Sequence, residues 1–425
     1  MSVAWWRDYD PKFVQDRSDV QVQLIKDAFE KAGVPIADHR DDDGMVDYMY
    51  RPGVVLTRDV DAGRVHRALG LSDVPDKSDE RGPLQPAGLH VVQLPDAREV
   101  VEALEELDRR LGVGVATPDH LIHVTDGQKV TWCMSKEPAQ PVADAVPTFN
   151  TDDESDGRSG LVVVVDTGSL REVIEAHDWL ANVTGEEEDA NTVGHYTGHG
   201  TFVAGVVRQY APEAEVTILR ILSVGGANFE SAVADGLTKA LDLAPDVINL
   251  SAGTRTRRDL PLLSFEVFWE QRLSHLKGTV LVAAAGNDGN RGPFWPAAFP
   301  WAVSAGALDF AGRDRAGFSN HGSWVDVYAL GTDVVNAYPE GPYTYREPPL
   351  TDQTTSFPGG VAAWSGTSFA APMVAGLTVA RMTWSGESAQ GSVDSLLRIA
   401  RANAGVGVGA RLTSAADATR ASNIP

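Results

Sequence analysis

The strongest constraint on the fold of this chain is a rhythm in residues 159–422. Short, mostly apolar runs at Leu161 to Val165, Val216 to Ile221, Val247 to Leu250, Val280 to Ala285 and Ala302 to Ala307 alternate with helical stretches such as Thr201 to Gln209, Phe229 to Leu243 and Leu262 to Leu276. Apolar runs of this length suit strands buried on both faces, and parallel strands need a crossover segment, usually a helix, between them. The alternation predicts an α/β domain over residues 159–425, three layers α/β/α with a mostly parallel sheet. No internal repeat accompanies it. At 425 residues the chain has room for two or three domains.

Upstream the pattern changes. Residues 1–45 are polar with one helix signal: Ser18 and Asp19 as caps, Leu24, Ile25, Ala28 and Phe29 on one face, and Gly33 as terminator. This predicts an N-terminal helical extension, followed by a turn at Asp41 to Gly44. Residues 46–127 predict a small α+β domain. Strands are expected at Val54 to Leu56 and Leu89 to Leu94, and helices at Asp61 to Leu69 and Asp96 to Leu111. Two more strands, Val113 to Ala116 and Leu121 to Val124, are expected around a Thr117-Pro118-Asp119 turn. Residues 128–158 read as an acidic, solvated linker ending in Asp152-Asp-Glu-Ser-Asp-Gly157. That run is not an EF-hand loop, because Glu154 and Val163 break the ligand pattern.

Charge and cysteine content exclude several functions. The 36 basic against 59 acidic residues give a net charge of −23, a field that repels nucleic acid and anionic lipid. The one cysteine, Cys133, rules out an intramolecular disulfide and a multi-cysteine metal site. No apolar run approaches the ~20 residues of a membrane span. The first residues lack the basic and apolar regions of a signal peptide. A cytoplasmic protein with neither nucleic-acid nor membrane partners is expected, with secretion by another route left open.

Four segments carry chemistry. Leu161-Val-Val-Val-Val-Asp166-Thr-Gly ends a buried strand in a carboxylate, where functional groups of parallel sheets collect; a turn or helix-cap role is the bland alternative. Gly198-His199-Gly200-Thr201 places an imidazole between glycines at a helix entry, whereas His195 lacks that context and reads as a loop residue. Gly366-Thr367-Ser368 opens a helix of small residues, which suits either an N-cap or a serine held where the helix dipole favours negative charge. Ala285-Gly286-Asn287 ends an apolar strand and offers either a turn or an amide donor for an oxyanion.

Taken together, in the order Asp, His, Asn, Ser, these segments resemble the subtilisin-like serine proteases (subtilases) over residues 159–422. Asn249-Leu-Ser251-Ala252-Gly253, Trp295-Pro-Ala-Ala-Phe-Pro300, Val303 to Ala307 and Phe318-Ser319-Asn320 add to the likeness. The resemblance implies a serine endopeptidase acting on polypeptides. It makes Ser368 the nucleophile, His199 the proton carrier, Asp166 the group that orients the imidazole, and Asn287 with the Ser368 N–H the oxyanion hole. Ser251, Ala252 and Gly253 would be the substrate-binding strand. The family often binds calcium, but no ligand set is identified here and no other cofactor is expected. Phe202 replaces a second histidine common in the family. Phe294 falls where a small residue often lines the specificity pocket and is expected to shrink it; Asp288 is expected near the rim, favouring a basic or polar side chain.

Residues 46–127 resemble the propeptide that inhibits many subtilases, or form an unrelated accessory domain; no strand is found between Leu94 and the helix at 96. As a propeptide they would inhibit intramolecularly, with maturation cleavage between Met134 and Ser159. Other protease classes fit poorly. Asp166-Thr-Gly-Ser resembles the aspartic-protease signature, but no second copy exists and two carboxylates are required. An α/β-hydrolase needs Gly-x-Ser-x-Gly with the Asp after the Ser. A catalytically silent binding protein on the same fold is the alternative from a different class.

Overall fold

The computed structural model describes residues 11–71, 88–95, 98–124, 137–142, 145–149, 159–188, 196–417 and 419. The N-terminal part comprises α1 (Pro11–Lys31), β1 (Ala37–Arg40), β2 (Val46–Arg58), α2 (Ala62–Leu69), β3 (Leu89–Gln93), α3 (Val100–Leu111) and β4 (Ala116–His123). Helix α1 starts earlier than its caps suggested, so Ser18 and Asp19 lie inside it. Proline is well tolerated at a helix start, where no intrahelical N–H partner is needed, and Gly33 at φ 70° ends the helix region. Strands β1, β2 and β4 pair in that order, all antiparallel, with β3 on β2. The sheet therefore runs across the expected 45/46 boundary.

One expected turn is absent. Thr117-Pro118-Asp119 lies within the single strand β4, whose eight residues are all buried. Pro118 lacks an N–H for the ladder, and the β2–β4 register shifts between Tyr50 and Val55, next to its place opposite Val55. The hydrophobic stripe of α3 (Val100, Ala103, Leu104, Leu107) closes over this sheet with Val55, Val65 and Val92.

The C-terminal part follows the expected alternation. It comprises β5 (Leu161–Asp166), α4 (Arg171–Ala176), β6 (Val183–Gly185), α5 (His199–Tyr210), β7 (Glu215–Arg220), β8 (Ala227–Phe229), α6 (Glu230–Asp242), β9 (Val247–Leu250), α7 (Leu263–Gln271), β10 (Val280–Ala284), β11 (Ala302–Leu308) and β12 (Val327–Leu330). Then come β13 (Val334–Ala337), β14 (Pro342–Thr344), β15 (Thr354–Ser356), β16 (Val361–Trp364), α8 (Thr367–Ser385) and α9 (Ala389–Ala402). Seven strands form one parallel sheet in the order β12-β11-β10-β9-β5-β7-β6, flanked by helices. Val162 to Val165 are wholly buried, each contributing roughly 1.5–3 kcal/mol of apolar transfer. Most of α8, buried from Thr367 to Val379, packs against α5 and the sheet.

The two parts meet along the helices α6 and α7. Val54, Leu56 and Leu89 of the N-terminal sheet pack on Leu263 and Val267 of α7, and β8 adds to the sheet as a neighbour of β4. The linker is less solvated than its composition suggested: Glu137 is buried, Ala139 pairs with Ala363 in both directions at 2.8 Å, and Phe149 packs on Trp179. Residues 128–136, 143–144 and 150–158, with Cys133 among them, lie outside the described residues, as does His195. No helix among the described residues is long and apolar enough to cross a membrane.

Candidate active site

Parallel topology brings the chemistry to one sheet edge. Asp166 is the last residue of β5, Ser251 to Gly253 follow β9, and Ala285 to Asn287 follow β10. His199 opens α5 and Ser368 lies in the first turn of α8. All are carboxyl-end positions of strands or amino ends of helices, where side chains and helix N–H groups face the same crevice.

His199 Nδ1 lies 2.8 Å from Asp166 Oδ1, and a carboxylate there accepts the ring N–H, which fixes the tautomer with Nε2 free to take a proton. The Thr167 N–H donates to the same oxygen at 2.7 Å. Both side chains are buried. The contact needs glycine at 200, because a Cβ there would lie 2.5 Å from the Gly168 carbonyl oxygen. Gly198, at φ 83°, turns the chain into α5.

Glu188 ties these two segments together. Its Oε1 accepts from the Thr167 hydroxyl at 2.7 Å and from the Gly198 N–H at 3.0 Å, while the Thr167 hydroxyl oxygen accepts the Gly200 N–H at 3.1 Å. Burial is the main cause pushing the Glu188 carboxyl up to about 7, opposed by these hydrogen bonds. Sequence reasoning missed it because it stands in the run Glu186-Glu-Glu-Asp189, and such runs are usually solvated. Loss of its charge-assisted bonds is expected to loosen the Asp166–His199 pair. Glu188→Ala should lower kcat about tenfold with KM nearly unchanged, and Glu188→Gln, which keeps an acceptor, should recover most of it. Equal activity of the alanine variant and wild type on a fluorogenic peptide would remove Glu188 from this role.

The serine is held by the segment that follows β9. The Ser368 hydroxyl donates to the Ser251 carbonyl at 3.1 Å, and the Ser251 hydroxyl donates to the Ser368 carbonyl at 2.7 Å. That second bond uses an oxygen that Pro372, lacking an N–H, cannot occupy in the helix ladder. The hydroxyl thus donates to Ser251 rather than to His199, although the His199 and Phe369 rings are centred 5.5 Å apart. Asn287 is oriented unambiguously. Its Oδ1 accepts from the Thr367 N–H at 2.8 Å and the Thr367 hydroxyl at 2.9 Å. Its Nδ2, fully buried, has no partner among the described residues. A preorganised donor beside a helix N-terminus can stabilise an oxyanion.

The crevice is occupied by the chain itself. The end of β4 lies between β8 and the strand at Gly253. Leu121, Ile122 and His123 stand opposite Phe229, Asn228 and Ala227. His123 and Gly253 exchange N–H bonds at 3.2 and 3.1 Å, and the Val124 N–H donates to the Gly226 carbonyl at 2.8 Å. Behind it lies a buried polar network at the start of α6. The Ser231 N–H and hydroxyl donate to Asp119 at 3.1 and 2.8 Å. His120 Nδ1 is 2.8 Å from Glu230, and His120 Nε2 accepts the Arg257 N–H at 3.1 Å. Burial, then the neighbouring Glu230, pushes the Asp119 carboxyl up to about 7. Among the described residues no group of three or more His, Cys, Asp or Glu side chains could hold a metal ion, so no calcium site is assigned.

Comparison with known proteins places the fold among characterised ones. A family model described as the Subtilase family matches residues 157–392. Thermitase from Thermoactinomyces vulgaris is 32% identical over 239 residues, covering 53% of this chain and 75% of the relative. The thermophilic serine proteinase of Bacillus sp. (strain AK1) is 32% identical over 243 residues, and the match spans 53% of each chain; the alignment thus covers about half of that relative. Among solved structures, fervidolysin from Fervidobacterium pennivorans, a keratinolytic enzyme related to subtilisin, superposes with a TM-score of 0.56 at 20% identity, covering 90% of this chain and 62% of its own. That likeness concerns the fold.

Proposed function

The chain belongs to the subtilase family, and from that premise we propose that it is a serine endopeptidase whose own strand β4 inhibits it until cut. Ser368 attacks the peptide carbonyl, His199 takes its proton and returns it to the leaving amine, and Asp166 holds the ring and stabilises its charged form. Asn287 Nδ2 and the Ser368 N–H take up the oxyanion, and water then releases the acyl group. The observation that carries the polypeptide substrate class is the antiparallel pairing of Leu121 to Val124 with Ala227 to Phe229 and Gly253. A groove that grips main-chain N–H and C=O groups on two sides suits an extended peptide.

The same register supports a cleavage position. A strand bound in this register puts its next residue opposite Ser251, beside Ser368. For this chain that favours self-cleavage after Thr125, upstream of the 134–159 interval that the propeptide resemblance implies; residues 125–136 and 150–158 lie outside the described ones. Mass spectrometry of the purified chain is expected to find a new N-terminus at Asp126 that is absent from Ser368→Ala. A terminus appearing equally in both chains would remove the self-cleavage.

A second reading rests on one observation: Ser368 donates to Ser251 rather than to His199. If that orientation persists, the fold binds peptide without cutting it. Labelling by a small sulfonyl fluoride, lost in Ser368→Ala, supports the enzyme; absent labelling after removal of β4 supports the binding protein.

A further inference from the structure

Residues opposite each other in an antiparallel pair project to the same face, so a substrate residue continuing the His123–Gly253 register opposite Ser251 turns its side chain toward the gap between two strand ends, Ser251-Ala252-Gly253 after β9 and Ala285-Gly286-Asn287 after β10. Each contributes a glycine to the gap, so neither backbone fills it. Phe294 does. A Cβ on Gly253 would lie 2.3 Å from Phe294 Cε1, and one on Gly286 would lie 2.8 Å from Phe294 Cγ. The ring is 2% exposed, wedged in a slot that only glycines leave open. It is anchored from behind, since Trp295 exchanges backbone bonds with Thr254 at 2.8 and 2.9 Å and packs its ring on Phe299 at 4.6 Å. Asp288, expected near the rim, is paired within the chain: its carboxylate sits 3.4 Å from Arg255 and accepts from Asn320 at 3.2 Å. The sequence expectation that Asp288 favours a basic or polar substrate side chain thus meets a carboxylate already paired with Arg255.

We propose that Phe294 occupies the specificity pocket, and that the enzyme cleaves after small residues of the size of glycine, alanine, serine or threonine rather than after large apolar ones. This rests on the serine-endopeptidase reading of the same site. Close-packed interiors do not yield a volume already filled by an aromatic ring, so a leucine or phenylalanine substrate side chain must expel Phe294 or stay out. The chain's own residue at the corresponding position in sequence, Thr125, is small.

The test uses the self-processed full-length protein on peptides that differ only at that residue. Wild type is expected to prefer alanine, serine and threonine over leucine and phenylalanine by at least about 10²-fold in kcat/KM, and Phe294→Gly should erase or reverse the preference. Should Phe294→Gly fail to fold, wild type alone still decides: methanesulfonyl fluoride should label Ser368 at least about 10²-fold faster than its phenylmethyl analogue. Equal hydrolysis after alanine and phenylalanine, or equal labelling by the two reagents, overturns the proposal while leaving the protease reading intact. No labelling by either reagent and no cleavage of any peptide overturns both.

Discussion

Ser368→Ala is expected to lower peptide hydrolysis by about 10⁶-fold, a magnitude measured on subtilisin, the family's namesake, and carried over to this chain. The loss should come without unfolding. The hydroxyl makes one hydrogen bond, to the Ser251 carbonyl, while the bond from Ser251 to the Ser368 carbonyl uses backbone that alanine retains. Alanine is also the best helix former for the first turn of α8. His199→Ala should cost as much activity but also stability, about 1–3 kcal/mol, because Asp166 is 0% exposed and would lose its ring partner. Both chains would be opened by a metalloprotease, the protease stopped with chelator, and turnover read on a fluorogenic peptide beside thermal unfolding. Turnover within tenfold of wild type in either variant would remove the triad assignment.

The second large effect is a pH-dependent grip of β4 on the crevice. Asp119 is wholly buried beside Glu230 and takes a proton up to about 7, against 3.8 for the ordinary carboxyl of a released strand. The docked state therefore binds more protons than the released one between those values. Docking is strongest below about pH 4, weakens as pH rises toward 7, and changes no further above it, by up to about tenfold per unit. Arg51, 3.9 Å from Asp119, opposes the shift; Glu230, with His120 against it, reinforces it. Amide exchange of residues 121–124 in the intact Ser368→Ala chain, corrected for the intrinsic rate, should show protection falling through this window. Asp119→Asn should flatten it. Glu188 titrates near the same pH but lies at the Asp166 turn, so the asparagine variant separates the two. Protection that rises with pH, or an unchanged slope in Asp119→Asn, would end the proposal.

Some of this was legible from residue order alone and some was not. The runs at 161–165, 247–250 and 280–285 became neighbouring parallel strands because continuous apolar segments must be covered on both faces. The strand pair expected around Pro118 became one strand because burial on both sides outweighed a local turn signal. Glu188 was hidden in an acidic run, since composition does not tell a buried carboxylate from a solvated one.

The order of Asp166, His199, Asn287 and Ser368, and the strand–helix alternation that carries them to one edge, follow from the sequence alone, because buried periodicity and strand-end position are local properties of a chain. What fills the crevice did not. That β4 lies against Gly253, that Phe294 fills the gap between Gly253 and Gly286, and that the Ser368 hydroxyl turns toward Ser251 are contacts between segments up to more than a hundred positions apart. Only folded packing decides them, because each depends on how closely two backbones approach.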